Sequence, residues 1–223
     1  MESRYSRNIP TITTEEQESL AKSHVLVLGC GGLGGYIIEN LLRMGIGHIT
    51  AVDGDSFDET NLNRQLLACE DNLGLNKAEA AALRAKSVNS TVDFTAVGEF
   101  FTAENAKELV SGHDIVMDAL DNAESRLLLE DICAEQEIPF VHGAVNGWIL
   151  QTAVVTPGSR LMHILYASPV KSESGSTLPM TAQICAAQQC SEAVKILCGR
   201  PSAIENRLLV GNLEDFQWEY FYF

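Results

Sequence analysis

The chain has 223 residues, 46% of them hydrophobic and 20% charged, with a formal charge of -15 at pH 7. That length can bury a sizeable core within one domain, and that acidity repels phosphate backbones, so DNA and RNA are not expected partners. No apolar run has the length of a membrane span and no basic-then-apolar leader opens the chain, so a cytoplasmic location without a membrane partner is expected.

In chain order, residues 13–23 read as a short helix, with Thr13 and Glu16 at capping-box spacing. Residues 24–28 read as a strand, 33–44 as a helix with Ile38, Leu41 and Leu42 on its buried stripe, and 48–52 as a second strand. Residues 53–65 are polar and irregular, too long for a simple turn, which marks a functional loop. An alanine-rich helix over 77–88, a strand over 92–97, a helix over 103–110 and a strand over 114–120 follow, then a helix over 123–136 and a short strand over 140–142. This alternation predicts a parallel sheet wrapped by helices.

After Gly147 the pattern changes. Residues 148–155 and 161–166 read as strands paired antiparallel around Pro157-Gly158, with Trp148 in the core. Residues 167–178 form a Ser/Gly/Pro-rich loop, 180–198 a helix ended by Gly199 and Pro201, and 207–210 and 216–222 closing strands. The expected fold is therefore α/β: a Rossmann-like, mostly parallel sheet extended by antiparallel strands in the C-terminal third. It is one domain, with its core over about 24–146 and the extension over 147–223. His142 and His163, in strand contexts, read as structural histidines. The six cysteines, Cys30, Cys69, Cys133, Cys185, Cys190 and Cys198, include no C-x-x-C pair and read mostly as reduced core residues.

Chemistry concentrates at a glycine turn. Gly29, Gly31 and Gly34 have G-x-G-x-x-G spacing between an apolar strand and a helix, where backbone amides can approach phosphate. Asp53 ends the next strand, nineteen residues after Gly34, where a carboxylate can reach a ribose hydroxyl. An adenine nucleotide is the expected ligand, and the glycines alone leave NAD and ATP open. The surrounding residues favour ATP: Asn61, Arg64 and Gln65 follow the acid, Lys77 opens the next helix, and Asp121-Asn122 ends a strand at the carboxyl edge of the sheet. Arg4 and Arg7 supply two further cations near the N-terminus. In a chain with only 15 Lys and Arg, cations in these loops suit a triphosphate, with Asp121 holding its Mg2+.

With these residues in this order, from Arg4-Tyr5-Ser6-Arg7 to Glu192-Ala193-Val194-Lys195, nearly the whole chain resembles the MoeB/ThiF/HesA adenylyltransferases, relatives of ubiquitin-activating enzymes. The resemblance implies nucleotide contacts for Gly29, Gly31, Gly32, Leu33, Gly34, Asp53, Asp55, Asn61, Arg64, Gln65, Lys77 and Asp121. It implies catalytic roles for Arg4, Arg64, Lys77 and Asp121, with Arg4 acting across a homodimer. The implied reaction is attack by the C-terminal glycine carboxylate of a small ubiquitin-like sulfur-carrier protein on the α-phosphate of ATP.

Many relatives carry two C-x-x-C pairs for a structural zinc. Here the matching stretch at residues 162–167 and the aromatic C-terminus hold none, so a zinc-free member is expected. The loop at 167–178 also lacks a cysteine, so adenylation without a covalent cysteine intermediate is expected. The last eight residues hold six aromatics, some of which should bury in the sheet and the rest contact a partner or a second subunit. Three other readings remain: a tRNA-modifying dehydratase of the same superfamily, an NAD-linked oxidoreductase, and a non-catalytic scaffold half of an activating enzyme.

Overall fold

The computed structural model describes residues 3–167 and 175–223. The elements run α1 (Thr14–Leu20), β1 (His24–Leu28), α2 (Gly34–Met44), β2 (His48–Val52), α3 (Lys77–Val88), β3 (Asp93–Val97), α4 (Ala106–Val110) and β4 (Ile115–Asp118). They continue with α5 (Ala123–Glu135), β5 (Phe140–Asn146), β6 (Ile149–Val155), α6 (Leu161–Leu165), α7 (Pro179–Leu197), β7 (Arg207–Asn212) and β8 (Gln217–Tyr222). The strands form one eight-stranded sheet in the order β3-β2-β1-β4-β5-β6-β7-β8. The first five are parallel, and β6, β7 and β8 add antiparallel. This is the expected α/β architecture.

Strand β1 is apolar throughout its centre because helices cover both faces of the sheet there. Val25 and Val27 face a cluster built with Ile37, Ile38, Leu41 and Leu42 of α2 and Ala182, Cys185 and Ala186 of α7. Leu26 and Leu28 face the other cluster, with Leu129 and Cys133 of α5 and Leu161 and Met162 of α6. The four β1 residues are wholly buried, each stabilising the fold by about 1.5–3 kcal/mol of apolar burial. Burial pushes the Cys185 and Cys190 thiols up to about 12, so neither ionises readily. Cys30 and Cys133 are buried too, whereas Cys69 is exposed, against the expectation for a core residue. No described helix is long and apolar enough to cross a membrane.

The C-terminal third corrects three expectations. Residues 161–165 are helix α6, not a strand. Its first amides are met by the buried carboxylate of Glu130, which accepts from the N–H of Met162 (2.9 Å) and of His163 (3.1 Å). The antiparallel partners of β6 are instead β5, across the Gly147 turn, and β7. Trp148 sits in that turn and is 42% exposed, so it is not a core residue. The aromatics of β8 stay exposed along the whole strand because β8 is the sheet edge, although Trp218 lies over Gly211, where a Cβ would stand 2.3 Å from its ring. Part of the loop expected over 167–178, residues 168–174, lies outside the described residues.

Candidate functional site

Strand order reverses at β1, whose neighbours β2 and β4 lead away in opposite directions, and open α/β sheets bind ligands beyond the carboxyl ends of their strands at such a point. A cavity of about 620 Å³ opens there, within the size range of small-molecule and cofactor sites. Its lining includes Gly29, Gly31, Gly32, Leu33, Asp53, Asp55, Arg64, Gln65, Lys77 and Asp121. Residues from Gly29 to Asp121 thus meet around one opening.

The glycines divide into two jobs. Gly29 adopts φ +97°, and a Cβ there would lie 2.5 Å from the Ala119 carbonyl oxygen; one on Gly34 would lie 1.8 Å from the oxygen of Gly29. These two let the ends of β1 and β4 and the start of α2 close on one another. Gly31 and Gly32 meet only ordinary contacts with the Gln65 and Arg64 side chains and face the cavity. Gly34 itself does not line it.

Asp53 joins two loops. Its carboxylate accepts from the Cys30 N–H (2.7 Å) and the Asp55 N–H (2.9 Å), which leaves each oxygen a second acceptor position. Burial pushes its pKa up, while those two N–H groups and the Lys77 charge oppose the rise. Asn76 caps α3 by accepting from the Ala78 and Glu79 N–H groups, and its amide donates to the carbonyls of Asp53 and Asp55. The cap therefore fixes the start of α3 against the acidic turn. Lys77, the first helical residue, is buried with its Nζ 3.1 Å from Asp55 Oδ2. Asp55 is the counter-ion of Lys77 as well as part of the lining.

Arg64 donates to the Thr60 carbonyl (2.9 Å) and to Asn63 Oδ1 (2.7 Å), with its stem beside Gly32. Gln65 is buried next to Gly31, and its Oε1 has no hydrogen-bond partner. Asn61 does not line the cavity. Its Oδ1 accepts from the Asp58 N–H and its carbonyl accepts from the N–H groups of Arg64 and Gln65, so it shapes the turn that presents them. Asn122, not Asp121, caps α5 by accepting from the Ser125 N–H (2.8 Å), which leaves the exposed Asp121 carboxylate at the cavity.

Arg4 lies elsewhere. Its guanidinium donates to Asn89, whose amide donates to the Tyr5 hydroxyl and the Leu42 carbonyl. Asn89 closes the far end of α3, about 18 Å of helix away from Lys77. Arg4 does not line the cavity of its own chain.

The sequence reading marked His142 only as a structural histidine and missed the buried polar cluster around it, which reaches the cavity through Arg126. His142 Nδ1 stands 2.6 Å from Asp118 Oδ2, and its Nε2 accepts from the Gln151 amide. Burial lowers the pKa of His142 against the raising pull of Asp118, and the two contacts suit a ring that carries its proton on Nδ1. Arg126 pairs with Asp118 at 3.5 Å, donates to the Tyr166 hydroxyl (2.8 Å) and holds the Leu120 carbonyl, the residue before Asp121. One signal for it was available: Arg126 is a cation in the first turns of a helix, where the macrodipole disfavours positive charge unless a partner is present. The cavity lining also includes Phe100 and Phe101, which no motif marked.

These residues fit a nucleotide polyphosphate. Two glycines present backbone to the opening, and Arg64 and Lys77 bring cations. No group of three or more His, Cys, Asp or Glu able to hold a metal occurs among the described residues. A nucleotide-borne Mg2+ needs only one or two carboxylates besides phosphate oxygens and water, and Asp121 can supply one.

Comparison with known proteins bears on the family and the fold. The sequence profile described as the ThiF family matches residues 5–222. The SAMP-activating enzyme E1 of Haloferax volcanii is 34% identical over 229 residues, 97% of this chain and 83% of that protein. The sulfur carrier protein ThiS adenylyltransferase of Bacillus subtilis is 36% identical over 209 residues, 89% of this chain but 62% of that protein, so the chain spans less than two thirds of this relative. Among solved structures, E. coli MccB with ATP shares the fold at a TM-score of 0.86 and 21% identity, over 99% of this chain and 71% of that one.

Proposed function

The chain belongs to the ThiF family, and from that premise we propose that it uses ATP to adenylate the C-terminal glycine of a small ubiquitin-like sulfur-carrier protein, for sulfur transfer in cofactor biosynthesis. The observation that carries this reading is the meeting of Arg64, Lys77 and Asp121 with the glycine turn and Asp53 around one cavity at the sheet switch point. The names of the two relatives support the substrate class.

In this reaction a carboxylate oxygen of the carrier attacks the α-phosphorus, the bond to the β-phosphate oxygen breaks, and pyrophosphate leaves with the electron pair. The carrier brings its own nucleophile, so the enzyme contributes position and charge. Asp53 would receive the ribose hydroxyls, and the backbone at Gly31 and Gly32 would approach the phosphates. Lys77 and Arg64 would neutralise the charge that grows on the phosphate oxygens. A Mg2+ held by Asp121 would add charge neutralisation at the same oxygens.

In this reading the functional unit is a homodimer. Arg4 is fixed at the far end of α3 from its own cavity, so it can serve a nucleotide only in a second subunit. Pyrophosphate exchange into ATP, driven by a carrier ending in glycine, tests both points. Asp121→Ala and Lys77→Met are expected to abolish exchange, as is Arg4→Ala. Mixing Lys77→Met with Arg4→Ala subunits is expected to restore part of it, because a mixed dimer holds one complete site. Exchange driven by tRNA and not by carrier would contradict the substrate, and failure of the mixture to recover would contradict the shared site.

A further inference from the structure

The cavity lining is chemically mixed. Arg64, Gln65 and Lys77 give it a polar part, and Phe100, Phe101 and Leu120 an apolar one. Phe101 and Leu120 pack against a core cluster, but Phe100 belongs to neither described cluster and is 61% exposed. A large aromatic side chain in that state contributes little to folding.

Its position is nevertheless fixed. The ring lies on the backbone of Gly54, where a Cβ would stand 2.6 Å from Cδ2 of the ring. Any other residue at that position would displace it. The backbone of Phe100 is tied as well: its carbonyl accepts from the Asn105 amide (2.9 Å), and Asn105 Oδ1 accepts from the Thr102 N–H (2.9 Å). The strand before it is anchored to the acidic turn by the Asp53 N–H donating to the Val97 carbonyl (3.0 Å). An immobilised, solvent-facing ring therefore sits one residue from the carboxylate expected to hold the ribose.

From this juxtaposition we propose that Phe100, seated on Gly54, is the platform on which the base of the bound nucleotide stacks. With the ribose at Asp53, the base it carries comes within reach of the ring seated on the next residue, Gly54. Base–aromatic stacking is tolerant of base identity because every base has a π-face. Phe100 thus supplies affinity for the base, not a choice among bases. The proposal rests on the nucleotide reading above and adds a residue to it.

Calorimetric titration with Mg-ATP tests it. Phe100→Ala is expected to bind ATP about tenfold more weakly, within what the loss of one stacked aromatic costs, while melting as the wild type does because the side chain is exposed. Phe100→Trp is expected to keep wild-type affinity and to show ATP-dependent quenching of its added indole emission. Leu83→Ala, on a similarly exposed apolar residue away from the cavity, is expected to bind ATP unchanged. Wild-type affinity in Phe100→Ala, or an indole at that position that does not respond to ATP, would overturn the platform and leave the nucleotide site standing. Failure of the wild type itself to bind ATP would overturn both.

Discussion

Gly34 carries a tighter constraint than its place in the motif suggests. Its missing Cβ leaves room for the carbonyl oxygen of Gly29, 1.8 Å from where that atom would be, and both partners are backbone, so no side chain can yield. Gly34→Ala is therefore expected to lower stability by about 1–3 kcal/mol, the usual cost of overpacking a tight contact, read as a reduced midpoint in urea unfolding. A midpoint equal to that of the wild type would show that α2 and the glycine turn can move apart freely. At this scale the glycine spacing, Asp53, Lys77 and Asp121 were legible in sequence, because each stands at a defined end of a strand or helix. The roles of Asn61 and Asp55 were not. Both lie in an irregular turn, where spacing does not say which way a side chain points, and the structure turns one toward backbone amides and the other toward Lys77.

Elements were legible where one periodicity governed them, and less so where a distant partner decided. The apolar runs of β1 and β4 and the helix behind the glycine turn follow from local pattern. Helix α6 does not, because the carboxylate that meets its first amides comes from Glu130, about thirty residues earlier. The aromatic run of β8 looked half-buried, yet an edge strand with no cover leaves both its faces exposed. Helix α1 is joined to the segment just after α7 by a forked ion pair, in which Arg200 donates to both Glu16 oxygens at 2.6 Å. That fork, with the Thr13 N–H, holds the Glu16 carboxyl at about 2 against an ordinary 4.5. Because the folded state favours the ionised form, this stabilisation is present above the ordinary value and is lost as pH falls through the folded one. Glu16→Gln is thus expected to melt below the wild type at neutral pH, with the gap closing as pH falls from 4.5 to about 2. A gap that stays constant over that range would show that the pair does not couple protonation to folding.

Across the whole molecule, position does the work that a reactive side chain does in other enzymes. The chain carries a formal charge of -15, yet its sheet order draws Arg64 and Lys77 to the mouth beyond the carboxyl ends of β1 and β4. A few placed cations within an acidic lining and an acidic surface favour a small polyphosphate over a nucleic acid. The buried thiols of Cys185 and Cys190, pushed up to about 12, offer no nucleophile of their own. In the proposed reaction the carrier's terminal carboxylate supplies the attacking oxygen, and the product is an acyl-adenylate on the carrier. Intact-mass spectrometry of a ubiquitin-like carrier ending in glycine, incubated with the enzyme and Mg-ATP without a sulfur donor, reads that product directly. The expected result is a carrier heavier by one adenylyl group, placed by fragmentation on the C-terminal glycine and absent with Asp121→Ala. A carrier of unchanged mass while ATP is consumed, or an adenylyl group on any other residue, would contradict carrier adenylation.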